Sequence, residues 1–488
     1  MMTPRRSAAV MIAVAAVICP LMLSGAVQAT AGTQMPPNAA AVTGTWGAAQ
    51  KVPGAIALNG GGQAQVQSVS CASAGNCSAG GYYTDRSGHH QVFVVSQVNG
   101  TWHNAIEVPG TATLNRGGNA NIFSVSCASA GNCSAGGYYT TDAFGHTQAF
   151  LVSQVKGTWR TAIKVPGTAA LNVHGNAEVN SVSCPSAGNC TAGGYYKDGS
   201  YHYQAFVVSE VNGTWRTAKE LLGTVALNKG GNAGVTSVSC ASAGNCSAGG
   251  SYVGSSPGSL PFVASEVNGT WRSARAVPGA AALTDGGALI TSVSCSAAGN
   301  CSAGGAYQDS SGHEQAFVVN QVAGTWHSAT QVPGTASLNT GGSAYIYSLS
   351  CGSAGNCSAV GSYFTSYLHA FVANEVNGVW GTAIELPGTA ALNLGKTAYA
   401  ISVSCASAGN CTAGGTYTDS AEHMQAFVAS EVNGTWRTAT QLPGTGALNP
   451  GGHAFVESVS CTSAGKCSAG GGYTGSARNR QAFVATQS

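Results

Sequence analysis

The 488-residue chain carries only 19 basic and 17 acidic residues, 7% of its length, against about a quarter in an ordinary soluble domain. With 44% apolar residues and 8% aromatics it has material for a core, and its 69 glycines and 15 prolines stop short of a disordered, low-complexity composition. The near-balance of charge, with no run of Lys or Arg, excludes the electrostatic footprint that nucleic acid or an anionic membrane requires.

The first element in the chain is a leader. Arg5 and Arg6 precede an apolar run from Ala8 to Leu23, and Val27-Gln28-Ala29 ends it with small residues. Residues 1–29 therefore read as a secretory signal peptide and 30–42 as a short linker. The run spans about sixteen residues and is broken by Pro20, short for a membrane span. Ile18 stands before Cys19 where a lipoprotein signal needs a small residue. The mature chain is expected outside the cell, as a monomer, in an oxidising compartment.

Residues 43–488 are repetitive. Every later cysteine falls into a C-x5-C pair: Cys71/Cys77, Cys127/Cys133, Cys184/Cys190, Cys240/Cys246, Cys295/Cys301, Cys351/Cys357, Cys405/Cys411 and Cys461/Cys467. Eight tryptophans keep the same beat: Trp46, Trp102, Trp159, Trp215, Trp271, Trp326, Trp380 and Trp436. Such a period marks a repeat architecture.

Within one unit, Ala64–Cys71 has the alternation of a strand, residues 72–76 form a turn, and Cys77–Thr84 is a second strand. After the loop 85–90, Gln91–Val98 is a third strand. Asn99-Gly100 is a hairpin signal, because both turn positions need positive φ, so Thr101–Val108 is a fourth, antiparallel strand. Nothing in the unit has helical periodicity. Four short antiparallel strands repeated eight times read as an all-β, eight-bladed β-propeller. The last unit supplies only three strands, Ala454–Cys461, Cys467–Thr474 and Gln481–Thr486. The missing outer strand is expected from Thr45–Val52, which closes the ring and removes a sheet edge.

Two strings in each unit, SVSCxSAGNC and NGTW, resemble repeats of secreted actinobacterial proteins with sialidase-like (BNR, Asp-box) propellers. The Asp-box, S-x-D-x-G-x-T-W, makes the turn between third and fourth strands, where this chain has Ser96 to Trp102, one residue shorter and without Asp. The arginine triad, Tyr–Glu pair and acid Asp that catalysis in that family implies find no counterpart set here.

The paired thiols flank a hairpin turn at a separation a disulfide spans, so eight local bridges are expected, each worth on the order of 2 kcal/mol. No His or second pair travels with them, so neither metal nor cofactor is expected. Present in every unit are the Trp, a Phe in the third strand and a Tyr twelve residues past the first Cys. Packing between blades accounts for Trp and Phe, whereas sugar stacking is an alternative for the tyrosines, whose strand ends at a loop. Variation gathers in the loops between second and third strands, which share one ring face with the inter-blade loops. Five of these loops carry an Asp and a His. The candidate ligand-binding set is therefore Tyr83, Asp85 and His89; Tyr139, Asp142 and His146; Tyr196, Asp198 and His202; Tyr307, Asp309 and His313; and Tyr417, Asp419 and His423. Asn115 and its counterparts read as caps of inter-blade turns, and Arg160, Arg216, Arg272 and Arg437 as exposed strand residues.

An enzyme needs one asymmetric set of acid, base and stabiliser, whereas near-copies around a ring suit avid, multivalent binding. The reading is a secreted binding or scaffold protein for glycan or cell-envelope polymer, with a protein-interaction platform or a sialidase-like hydrolase as alternatives.

Overall fold

The computed structural model describes residues 44–255 and 258–488; the expected leader and linker lie outside the described residues. In the first blade the inner strand is Ala64–Ser73, the second Asn76–Thr84 and the third His90–Val98. Pairing continues past the cysteines to Ser73 opposite Asn76, so the hairpin loop is the two residues Ala74 and Gly75 rather than the expected five, with Gly75 at φ 72°. Cys71 and Cys77 face each other in that ladder, and all eight disulfides are formed. The longest are Cys127–Cys133 at 2.13 Å and Cys184–Cys190 at 2.09 Å. In the third blade pairing passes from Ser183↔Thr191 to Ser186↔Asn189, so Cys184 and Cys190 are joined by their bridge but stand outside the ladder. Asn99 (φ 49°) and Gly100 (φ 85°) make the expected left-handed turn.

The outer strand differs from the expected continuous one. It is split into Thr101–Trp102 and Ile106–Glu107, because the register to the third strand slips by one residue between Trp102↔Gln97 and Ile106↔Val94. The bulge frees the Ala105 N–H to donate to Pro53 O at 2.7 Å, stitching each outer strand to the loop of the preceding blade. The sequence also hides eight one-turn helices among the described residues, the first at Ala55–Leu58 and the second at Thr111–Leu114, in the inter-blade loops. Four residues are too few to show a helical period. Each follows a glycine at positive φ, such as Gly110 at 86°, and in the second the Thr111 hydroxyl donates to Val108 O at 2.7 Å. Asn115 does more than cap: its Nδ2 donates to His90 O and Gln91 Oε1, which ties the loop to the blade just completed.

Eight such sheets form the ring, each with the strand order inner, second, third, outer. Inner strands of neighbouring blades are joined by side chains rather than by a backbone ladder. The Val125 N–H donates to Ser68 Oγ and the Cys127 N–H to Ser70 Oγ, both at 2.9 Å. The same pair of bonds recurs at the closing junction, from Val69 to Ser458 and from Cys71 to Ser460. This explains the two serines of SVSC: they satisfy backbone donors that would otherwise be buried without a partner. Between blades lie eight apolar clusters, in which Phe93 is fully buried and Trp102 is 5% exposed, so Phe and Trp are packing residues as expected.

The last blade is completed by the N-terminal strand. Gln50 pairs with Val484 and Lys51 with Phe483, Trp46 bridges to Gln487, and Thr45 and Ser488 exchange backbone hydrogen bonds of 3.0 and 3.1 Å. No helix among the described residues is long and apolar enough to cross a membrane.

Candidate functional site

The five Asp–His loops are internally satisfied. Asp85 Oδ1 accepts the N–H of Ser87 (2.8 Å) and of His89 (3.0 Å), and Oδ2 accepts Gln91 Nε2 (3.2 Å). Asp198, Asp309 and Asp419 repeat this arrangement, while Asp142 pairs with His146 Nδ1 at 2.7 Å. Partial burial pushes the Asp85 carboxyl up, but the hydrogen bonds outweigh it and hold it below the ordinary carboxylate value. Each imidazole covers a left-handed glycine of the next inter-blade loop: a Cβ on Gly118 would stand 2.5 Å from His89 Cδ2, and His146, His202, His313 and His423 sit likewise on Gly175, Gly231, Gly342 and Gly452. Asp and His thus come together within each loop, and they line none of the cavities described below.

The tyrosine set requires a correction. Tyr83, Tyr139, Tyr196, Tyr307 and Tyr417 are 2 to 6% exposed and belong to the inter-blade cores. Strand alternation turns them inward, and the hydroxyls of Tyr83 and Tyr196 donate to Glu107 (3.0 Å) and Glu220 (2.6 Å). A ring so enclosed presents no face for stacking.

The cysteine pairs form the eight expected hairpin bridges, and they have a second role. Cys133 and Cys190 are bridged to Cys127 and Cys184 and are also buried against the preceding blade, each 4% exposed. Cys133 Sγ lies 3.5 Å from Ser78 Oγ, and Cys190 Sγ lies 3.5 Å from Ser134 Oγ. Both sulfurs' residues also line a cleft of about 230 Å³ between blades two and three. The physical reason is strand alternation again, which sends the second cysteine of the pair into the inter-blade core, so the bridge packs blades together as well as closing a turn.

A different set converges on the axis. Each inner strand carries a bulge immediately before SVSC, as between Val66 and Ser68, which leaves one residue outside the ladder. The eight bulged residues are Gln67, Phe123, Asn180, Thr236, Thr291, Tyr347, Ile401 and Glu457. Gln67, Phe123, Tyr347, Ile401 and Glu457 line one cavity of about 480 Å³ together with Tyr399 and four motif serines. These residues belong to blades one, two, six, seven and eight, so the cavity lies on the ring axis. The other three turn sideways: Asn180 Nδ2 donates to Val235 O, Thr236 Oγ1 to Ile290 O and Thr291 Oγ1 to Ile346 O, at 2.7 to 2.8 Å.

Aromatic walls flank this cavity. On one side Tyr347 stacks on Tyr345 and meets the edge of Tyr399, and the Tyr345 hydroxyl donates to Glu314. On the other, Phe123 contacts Tyr138, whose hydroxyl donates to Asn119 Oδ1 at 3.3 Å. Between the walls, Gln65 Nε2 reaches Glu457 Oε2 at 3.5 Å and Gln65 Oε1 accepts Arg480 Nη1 at 3.4 Å. Burial pushes the Glu457 carboxyl up to about 7 against the opposing pull of Arg480. The site therefore offers hydroxyls, amides, aromatic faces and one carboxyl that changes charge near neutrality.

Folded Glu457 keeps its proton to about pH 7, whereas the unfolded chain releases it near 4.5. The folded state holds more protons between those values, so this group's contribution falls as pH rises, by up to about 3 kcal/mol. In urea denaturation from about pH 4 to about pH 8, Glu457→Gln should become progressively more stable than the wild type.

The five Asp–His loops are near-copies of one another, whereas the groups at the axis differ from blade to blade. The missed signal was visible as the most variable position beside the most constant string: Gln, Phe, Asn, Thr, Thr, Tyr, Ile and Glu precede S-V-S-C or its variant in Leu349.

No family model and no curated protein match the chain. Among solved structures it is similar to a Hadza microbial sialidase (TM-score 0.36, 11% identity, covering 70% of this chain and 73% of that one). It is also similar to a GH74 xyloglucanase from Xanthomonas campestris (0.44, 13%, 88% of this chain), of whose length it spans 60%. A third is a six-bladed fungal lectin from Aleuria aurantia (0.34, 13%, 66% and 96%).

Proposed function

We propose that this is an extracellular binding protein that holds one uncharged saccharide, free or as a unit of a cell-envelope polymer, at the ring axis. The observation that carries this reading is the divergence of the eight bulged residues where the repeats converge. Stacking faces beside hydroxyls, amides and a carboxyl suit a polyhydroxylated ligand with apolar ring faces. The bulges lie nearer the variable-loop end of the inner strands, three residues from the strand start at Ala64 and six from its end at Ser73. Eight disulfides and the leader-like N-terminus support the extracellular setting.

A glycan array followed by calorimetry tests it. One ligand should bind per ring, and Tyr347→Ala with Tyr399→Ala should weaken binding about tenfold or more, the loss expected of stacking contacts. His89→Ala should leave binding unchanged. Several equivalent sites, loss in the loop variant alone, or no glycan bound would overturn the reading. The raised carboxyl of Glu457 also suits a general acid, which favours a hydrolase as the second reading. Turnover of fluorogenic glycosides that disappears in Glu457→Gln would decide for it.

A further inference from the structure

The cations are scattered in the sequence, but the ring gathers them. Arg160, Arg216 and Arg272 each follow the tryptophan of blades two, three and four at a spacing of 56 residues. These blades are consecutive, so the three guanidinium groups stand at equivalent places on adjoining outer strands. Lys156, Lys164, Lys219 and Arg275 belong to the same outer strands and their turns, and all seven except Lys164 are exposed. Blades five and six carry no Lys or Arg there: His327 and Gly381 follow their tryptophans. Among the described residues no Lys or Arg makes an ion pair; the three pairs present all use histidine. Of the acids nearby, Glu210 and Glu266 are buried at 5% and 4% exposure, leaving Glu220 as the partly exposed one.

Clefts interrupt this arc. The one between blades three and four, about 500 Å³, is lined by Arg216, Lys219, Ser209, Leu222 and Trp271. Leu222 stands where the other inter-blade loops have proline and is 61% exposed, and Trp271 Nε1 is a buried donor with no hydrogen-bond partner. At six other junctions the preceding blade accepts this indole N–H, as Ser96 does from Trp159 and Ser265 from Trp326, while Trp46 Nε1 is buried without a partner like that of Trp271. Between blades four and five a cleft of about 550 Å³ is lined by Arg272, Arg275 and Trp326.

We propose that the rim of blades two to four binds an acidic polysaccharide, a chain bearing carboxylate or sulfate groups, laid across the outer strands. Guanidinium groups repeated on three adjoining blades match anions spaced along a flexible polymer, and a convex edge is followed by a chain rather than by a flat bilayer. The clefts between the cations add a hydroxyl and an apolar surface, which sugar rings use and a layer of phosphates does not. The surface is distinct from the axial cavity.

Binding of the intact protein to polygalacturonate, dextran sulfate and neutral dextran tests this by biolayer interferometry. Either acidic polymer should bind, neutral dextran should not engage the rim, and affinity should fall about tenfold when NaCl rises from about 20 to about 150 mM. The variant Arg160→Gln, Arg216→Gln, Arg272→Gln, Arg275→Gln should lose about tenfold or more, its fold checked by thermal melting. Neutralising four cations of the opposite face, Arg86, Arg116, Lys229 and Arg478, to Gln should leave binding intact. Equal loss in both variants, insensitivity to salt, or binding only to duplex DNA or phosphatidylglycerol vesicles would overturn the proposal.

Discussion

Alanine at Gly361 should strongly destabilise the ring. A Cβ there would stand less than 3 Å from the carbonyl oxygen and carbon of Tyr345, backbone atoms of the adjoining inner strand. Those atoms are fixed by the ladder between Ala344 and Ser353, by the bulge at Tyr347 and by the serine bonds to the next blade. Overpacking against side chains costs about 1–3 kcal/mol, and here nothing flexible can move aside, so at least about 3 kcal/mol of destabilisation is expected. The same approach occurs in every blade, from Gly81 against Gln65 to Gly471 against Phe455. Gly88→Ala is the comparison: φ is 83° there but no atom lies within 4 Å, so only backbone strain of about 1 kcal/mol should appear. Urea midpoints of the two variants separate close backbone approach from simple loss of glycine, and equal midpoints would refute the assignment.

Deleting residues 44–52 should produce a protein that associates through an open edge. The deletion removes Trp46, Ala49 and Val52 from the last inter-blade contacts and strips the ladder from Phe483 and Val484. Burial of Trp46 and Val52 alone is worth roughly 4 kcal/mol. The third strand of that blade, Arg480–Thr486, would then present unpaired N–H and C=O groups with a largely apolar sequence, a template for another chain. Sedimentation should show dimers or larger species and a lowered melting temperature, and a peptide of residues 44–53 added in trans should restore the monomer. A deletion variant that stays monomeric with unchanged melting would show that the strand is dispensable.

The architecture was readable because each blade is built from local signals. The cysteine pair and Asn99-Gly100 mark the turns, the strand alternation fills the space between them, and the misphased Trp46 reveals closure. What escaped depends on neighbours in space. Tyr83 and Tyr82 adjoin in sequence, yet the strand sends Tyr83 into the core and leaves Tyr82 partly exposed, stacked on His90. Cys133 and Cys190 announce their bridges by spacing alone, but nothing in that spacing shows that each sulfur also meets a hydroxyl of the blade before it. Asp85 looks available in a loop, but its oxygens are occupied by the turn it builds. Glu457 and Tyr347 lie more than a hundred residues apart and share a cavity only because the ring brings the bulges to one axis. Arg160, Arg216 and Arg272 are isolated charges along the chain and adjacent ones around the rim.

Closure by the N-terminal strand also has a consequence in time. Gln487 Nε2 donates to Gly44 O at 2.8 Å across 443 residues of sequence. During synthesis the strand at Gln50–Lys51 emerges first and its ladder partner, Arg480–Thr486, nearly last. Seven blades can assemble in order as they appear, each against the one before, while the earliest segment waits without a partner. Joining ends so far apart carries a loop-closure entropy of roughly 5 kcal/mol, which the already stacked blades reduce by holding the two ends near each other. The slow step of folding should therefore be the final docking of the N-terminal strand, at a rate set by how completely the other blades have formed.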